Sequence, residues 1–183
     1  MNNIKTIIMF RHGETTSDKT NPNRSLTKNG IICTVKQASK LTNIINANSC
    51  EIFSTNTIRT INTAKILARE LSINFREEYC VDMSSFLIKG WDLIRDTTNK
   101  DLTKIYLDLI NRNQLPPEIT TPLQVTQRFL EAIANTNTQA TTIILVANGG
   151  SIEIASYFQN TFRPRSLKLK ILNYSEFLIL NKY

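Results

Sequence analysis

Two short, wholly apolar runs set the terms on which this chain can fold: residues 7–10 (Ile-Ile-Met-Phe) and residues 143–146 (Ile-Ile-Leu-Val). Each is too short for a buried helix. Neither alternates with polar residues, the mark of a strand covered on both faces. The first strand is expected over residues 5–10, and another is centred on Ile52 and Phe53. Between the strands lie segments with helical spacing. Thr27 reads as the N-cap of a helix carrying Ile31, Ile32, Val35, Ala38, Leu41, Ile44 and Ile45 on one face. A second helix, over residues 57–71, offers Ile58, Ile61, Ala64, Ile66, Leu67, Ala68 and Leu71. Residues 102–110 also have helical spacing. Pro122 suits the first turn of a helix running to about residue 134, and residues 151–158 read as a further helix. Residues 167–172 and 177–180, parted by a polar turn, read as two strands, with Lys168 and Lys170 on an exposed sheet edge. Residues 75–96, which hold the one tryptophan, Trp91, resolve into no period. Strands alternating with helices predict an α/β fold: a three-layer α/β/α sandwich around a mostly parallel central sheet.

The 183 residues suit one domain, 1–183. The 22 basic and 15 acidic side chains leave a net charge of +7, which favours an anionic partner. Nucleic acid is not the expected one, because no basic run is interleaved with aromatic residues. No apolar run approaches the roughly 20 residues of a membrane helix, and the N-terminal stretch lacks the features of a secretory signal. Three widely spaced cysteines, Cys33, Cys50 and Cys80, form no CxxC pair, so reduced thiols in a cytoplasmic protein are expected. The one histidine, His12, rules out a histidine-rich metal site.

Chemistry gathers where the strands end. The first runs directly into Arg11-His12-Gly13-Glu14-Thr15. In open α/β sheets, ligands bind at the carboxyl ends of the strands. The Arg11 guanidinium suits phosphate oxygens, and Gly13 allows close approach of the backbone. A histidine in such a place can equally be structural. The second strand leads to Arg59, and the strand at 143–146 leads to Asn148-Gly149-Gly150. A glycine pair at a helix start turns backbone N–H groups toward an anion, or forms a plain tight turn. His12, Arg11, Arg59, Asn148 and Gly149 are therefore expected to converge on one phosphate-sized site. Glu14 could cap or pair locally, or support the site. Arg24 could touch a substrate or stay solvated.

These pieces, in this order, resemble the histidine phosphatase superfamily, also called phosphoglycerate mutase-like. The resemblance rests on Arg11-His12-Gly13-Glu14-Thr15, on Ser25-Leu26-Thr27-Lys28-Asn29-Gly30, on the stretch from Ser54 through Arg59-Thr60 to Thr63-Ala64, and on residues 145–150. Together they span about residues 4–160. Arg24-Ser25-Leu26-Thr27 looks most like the small phosphohistidine-phosphatase branch, whereas Gly149-Gly150 looks more like the mutase branch. The resemblance implies a phosphoglycerate mutase-like fold, with residues 75–122 as a variable cap or insert. It implies hydrolysis of a phosphomonoester or a phosphohistidine through a phosphoryl group carried on His12. Arg11 and Arg59 would neutralise the phosphoryl oxygens, without metal or other cofactor. The partner would be a phosphorylated small molecule or a phosphoprotein.

Two positions depart from the family pattern. Asn148 stands where the family has a second histidine. An amide can donate a hydrogen bond but cannot carry charge. Loss of one such contact in the transition state costs roughly 2.7–4 kcal/mol, so low activity is expected. A pseudophosphatase that binds a phosphorylated ligand or partner is the alternative. Ser84 and Ser85 stand about where a leaving-group acid is expected, which leaves Asp82 as the nearest candidate upstream. The small branch works without that acid, so mutase activity is not expected.

Overall fold

The structure, a computed structural model, describes residues 6–16, 21, 23–81, 102–121, 124, 138–148, 168–172 and 177–178. In chain order the described elements are β1 (Thr6–Arg11), α1 (Lys28–Leu41), β2 (Cys50–Thr55), α2 (Ile58–Leu71), β3 (Phe75–Val81), α3 (Leu102–Asn111), β4 (Thr142–Ala147), β5 (Lys168–Leu172) and β6 (Phe177–Leu178). The strands form one sheet in the order β3-β2-β4-β1-β5-β6. Every pairing is parallel except the last, between β5 and β6. The expected strand–helix alternation is therefore realised as a mostly parallel sheet. The expected helices at 122–134 and 151–158 lie outside the described residues.

The two apolar runs occupy the middle of this sheet, side by side. Ile7 through Phe10 pair with Ile143 through Val146, residue for residue. One set of alternate residues (Ile8, Phe10, Cys50, Ile52, Ile144 and Val146) packs beneath α1 and α2. The other set, including Ile7, Met9, Phe53, Ile143 and Leu145, is equally buried. Both faces are covered, which is why these strands carry unbroken apolar runs.

The helices bury the later part of their expected apolar faces, Ala38 and Leu41 on α1 and Ala64, Leu67 and Leu71 on α2, but their first turns present other residues to the core. Gly30, Thr34, Gln37, Ala38 and Leu41 are the buried residues of α1, while Ile31 and Ile32 are 40% and 51% exposed. The inward line sits one residue round the helix from the isoleucines. Its first turns meet backbone rather than apolar side chains, so they hold small residues, and the Thr34 hydroxyl is satisfied by the Gly30 carbonyl at 2.8 Å. Likewise Thr60 and Thr63 are buried on α2, while Ile58 is 39% exposed. Thr27 is the N-cap of α1 as expected, its hydroxyl accepting from the Gly30 N–H at 2.9 Å. The helix ends at Leu41, and Ile44 and Ile45 lie in the turn beyond it, both bonded to the Leu41 carbonyl.

Residues 75–81, which show no period in the sequence, form the outer strand β3 beside β2. Lys168 and Lys170 lie on β5, which has β1 along one side and pairs with β6 at Ile171 and Leu172. The sheet therefore continues past the strand read as its edge. Among the described residues, no helix is long and apolar enough to cross a membrane.

One close approach locks the site end of the fold together. A Cβ on Gly30 would collide with backbone atoms of Glu14, and one on Gly13 would lie 2.8 Å from both the Gly30 carbonyl and the Thr34 hydroxyl. Backbone atoms cannot rotate aside. Overpacking of this kind costs about 1–3 kcal/mol, more than the roughly 1 kcal/mol that alanine gains over glycine inside a helix. Gly30→Ala should therefore lower the thermal midpoint. An unchanged or raised midpoint would show that this contact gives way freely.

Candidate active site

Parallel pairing brings three strand ends to the same edge of the sheet. Arg11 is level with Ala147, and Val146 is level with Ser54. The His12 N–H extends the ladder by one rung, donating to the Ala147 carbonyl at 3.1 Å. His12 and Asn148 thus leave adjacent strands side by side, and Arg59 enters from the first turn of α2, after β2.

The His12 ring is held by its own backbone. Its Nδ1 lies 2.7 Å from the Gly13 carbonyl. A carbonyl can only accept, so Nδ1 carries the proton and Nε2 keeps its lone pair. The imidazole is also kept neutral. Burial lowers its pKa to about 4, the Gly13 bond opposes that shift, and the positive charges of Arg59, Arg11 and Arg24 add to it. Among the described residues, the charged groups that shift His12 are all arginines. The arrangement sets an uncharged imidazole, its Nε2 lone pair retained, within the field of three guanidiniums, which suits a tetrahedral anion.

Threonines fix Arg59. The buried Thr63 hydroxyl accepts from the Gly13 N–H at 3.1 Å and donates to the Arg59 carbonyl at 2.8 Å. It therefore ties the histidine loop to the first turn of α2. Thr57 precedes α2 but makes no side-chain cap bond. The buried Thr60 hydroxyl instead donates to the Thr55 carbonyl at 2.7 Å and accepts from the Thr55 hydroxyl at 3.1 Å. At the far end of the Arg59 side chain, Nε–H donates to Asn148 Oδ1 at 2.9 Å. Burial, and then the charge of Arg24, lower the Arg59 pKa.

Arg24 is brought in by a short backbone clasp. Thr15 bridges Leu26, the Thr16 N–H donates to the Ser25 carbonyl at 3.2 Å, and the Thr27 N–H donates to the Glu14 carbonyl at 2.9 Å. The residue before this clasp is Arg24, half-buried, with its charge acting on both His12 and Arg59. The sequence leaves it open between ligand and solvent; the fold places it with the other cations. Its position just ahead of Ser25-Leu26-Thr27 was the available signal. Glu14 goes the other way: its exposed carboxylate accepts from Asn29 Nδ2 at 2.6 Å, over the start of α1. His12, Arg11, Arg24, Arg59 and Asn148 come together, while Gly149, Asp82 and Trp91 lie outside the described residues. Cys33 and Cys50 are free thiols, and burial raises the Cys50 pKa to about 12.

The neutral state of His12 makes a pH prediction. The unfolded chain takes up this proton near pH 6.5, and the folded chain only near pH 4. Between those values the unfolded state holds more protons, so stability falls as pH falls. The contribution is fully present above pH 6.5 and lost on the way down to about 4. Melting curves across that range should slope less steeply for His12→Gln than for the unsubstituted protein. Equal slopes would show that His12 titrates normally in the fold.

Comparison with known proteins bears on the fold and the family. The chain resembles the structure of Bacillus stearothermophilus YhfR, with a TM-score of 0.54 at 20% identity over 88% of this chain and 82% of that one. It also resembles phosphoglycerate mutase from Bacillus anthracis str. Sterne, with a TM-score of 0.55 at 12% identity over 99% and 93% of the two chains. At these identities the likeness is one of fold. No curated protein matches the chain. The description of the histidine phosphatase superfamily (branch 1) matches residues 7–176, nearly the whole length, with the strand ends described above inside it. The chain belongs to branch 1 of the histidine phosphatase superfamily.

Proposed function

We propose that this protein is a phosphatase that hydrolyses a phosphomonoester or a phosphohistidine in two steps through His12. In the first step the Nε2 lone pair attacks phosphorus, forming a P–N bond while the bond to the leaving group breaks with its electron pair. In the second, water attacks the same phosphorus, the P–N bond breaks, and inorganic phosphate leaves. Dividing one displacement into two lowers each barrier. Arg11, Arg59 and Arg24 would stabilise the charge spread over the phosphoryl oxygens. The observation that carries this reading is the His12 ring itself. Its Nδ1–H is tied to the Gly13 carbonyl, and its pKa is depressed by burial and three arginines, so Nε2 is an available nucleophile at neutral pH.

The leaving group must be a fair one. Asp82 stays the candidate acid for an alkyl phosphate, whereas a phosphohistidine substrate departs with less help. That chemistry, together with Arg24 ahead of Ser25-Leu26-Thr27, favours the small phosphohistidine-phosphatase type of activity over mutase transfer. A likeness of fold to a phosphoglycerate mutase does not distinguish the two. A cytoplasmic phosphoprotein or phosphorylated metabolite is the partner this reading calls for.

Asn148 favours a second reading, a pseudophosphatase. The amide is engaged with Arg59 and offers no charge to the transition state. Phosphate release separates the two. The assay takes a panel of phosphomonoesters and a phosphohistidine peptide, with His12→Ala as the reference. Release above that reference supports the enzyme. Release equal to it across the panel, with retained phosphate binding, supports the pseudophosphatase.

A further inference from the structure

Asn148 and Arg59 lie 89 residues apart in sequence, yet the amide oxygen of one takes the Nε–H of the other at 2.9 Å. A guanidinium is a rigid plane with five N–H groups. Capturing Nε fixes the rotation of that plane about the end of the side chain. The terminal nitrogens are then the part of Arg59 that meets a tetrahedral anion, and two parallel N–H donors bind phosphate oxygens best when already oriented. The direction of the bond matters. Asn148 accepts through Oδ1, so the side of the amide turned to Arg59 is its oxygen and not its N–H groups.

We propose that Asn148 is a positioning residue: it serves the phosphoryl site through Arg59, by holding Nε, rather than by a hydrogen bond of its own to the phosphoryl group. The role rests on reading this site as one that binds phosphoryl groups. The surroundings favour it. Arg59 is half-buried and feels the charge of Arg24, and both facts work against its own charge. A neutral oxygen acceptor offsets that cost. A protonated histidine at the same place could not accept from Nε and would add one more cation beside Arg11, Arg24 and Arg59. The departure at residue 148 thus exchanges a charged donor for a neutral acceptor, and the beneficiary is the arginine.

Binding of inorganic phosphate, measured by titration calorimetry at neutral pH, tests this without requiring turnover. The proteins are the unsubstituted chain, Asn148→Ala, Arg59→Ala, Arg11→Ala, and the two double variants that pair Asn148→Ala with each arginine substitution. Asn148→Ala alone should weaken binding about tenfold, the scale of a hydrogen bond to a charged group. It should add nothing in the Arg59→Ala background and its full factor in the Arg11→Ala background. A merely structural role would weaken both backgrounds alike. Full additivity with Arg59→Ala would overturn the proposal, whether Asn148 is then a direct phosphate ligand or a purely structural residue. A second readout is the Arg59 Nε–H resonance, which should exchange slowly with solvent and lose that protection in Asn148→Ala; a fast-exchanging resonance in the unsubstituted chain would also overturn it. If the unsubstituted protein binds no phosphate while that resonance stays protected, the phosphoryl-site reading fails, and the pairing itself stands.

Discussion

His12→Ala should reduce phosphate release to the uncatalysed background, while inorganic phosphate still binds. The two outcomes are separate because the groups are separate. On the proposed reading His12 supplies the attacking lone pair, through Nε2, and the guanidiniums of Arg11, Arg24 and Arg59 supply the charge. Removing a nucleophile commonly costs enzymes on the order of 10⁴–10⁶ in turnover. Removing it from this pocket leaves the cations in place and takes away a ring that was neutral, so anion affinity changes little. Residual release within about tenfold of the unsubstituted rate, under the conditions of the panel assay, would mean that water attacks the substrate directly and His12 is no nucleophile.

Arg59→Lys should lower kcat/KM by roughly 100- to 1,000-fold, the usual scale for one lost transition-state donor. The charge is kept, so a site that needed only positive potential would tolerate the change. A lysine offers a point charge on a flexible stem and has no Nε–H to give Asn148 Oδ1. Both the fork and its anchor are lost together. The comparison with Arg11→Lys is informative, because it removes a fork at the same site while leaving the bond to Asn148 intact. A fall of less than threefold for Arg59→Lys would show that geometry at Arg59 is unimportant.

The sheet was legible because its strands are buried on both faces. The runs at 7–10 and 143–146 pair with each other in full, and no amphipathic reading competes with them. The site was legible for a related reason: a parallel sheet brings distant strand ends to one edge, so Arg11-His12, Arg59 and Asn148 could be assembled from the chain alone. Helix faces were harder to read. Ile31, Ile32 and Ile58 appear in the sequence as core residues, yet they are exposed, because α1 and α2 turn glycine and threonines toward a close-lying backbone. Spacing of apolar residues carries no trace of a contact made by a missing side chain. β3 was hidden because Arg76, Glu77 and Glu78 interrupt it, as an outermost strand permits. Thr60 and Thr63 could be quoted as part of a motif, but the bonds they make become visible only when β1, β2 and α2 are assembled.

The Gly13 carbonyl that orients the imidazole has a kinetic corollary. That carbonyl holds Nδ1, no acid stands behind the ring among the described residues, and burial together with three neighbouring cations keeps its pKa at about 4. Weakly basic amines make sluggish attackers and ready leaving groups. On the proposed two-step reading, the covalent adduct would form with difficulty and discharge with ease, staying scarce at steady state. Substrate preference would then follow leaving-group lability, with P–N and acyl-phosphate linkages expected to be consumed ahead of ordinary alkyl esters.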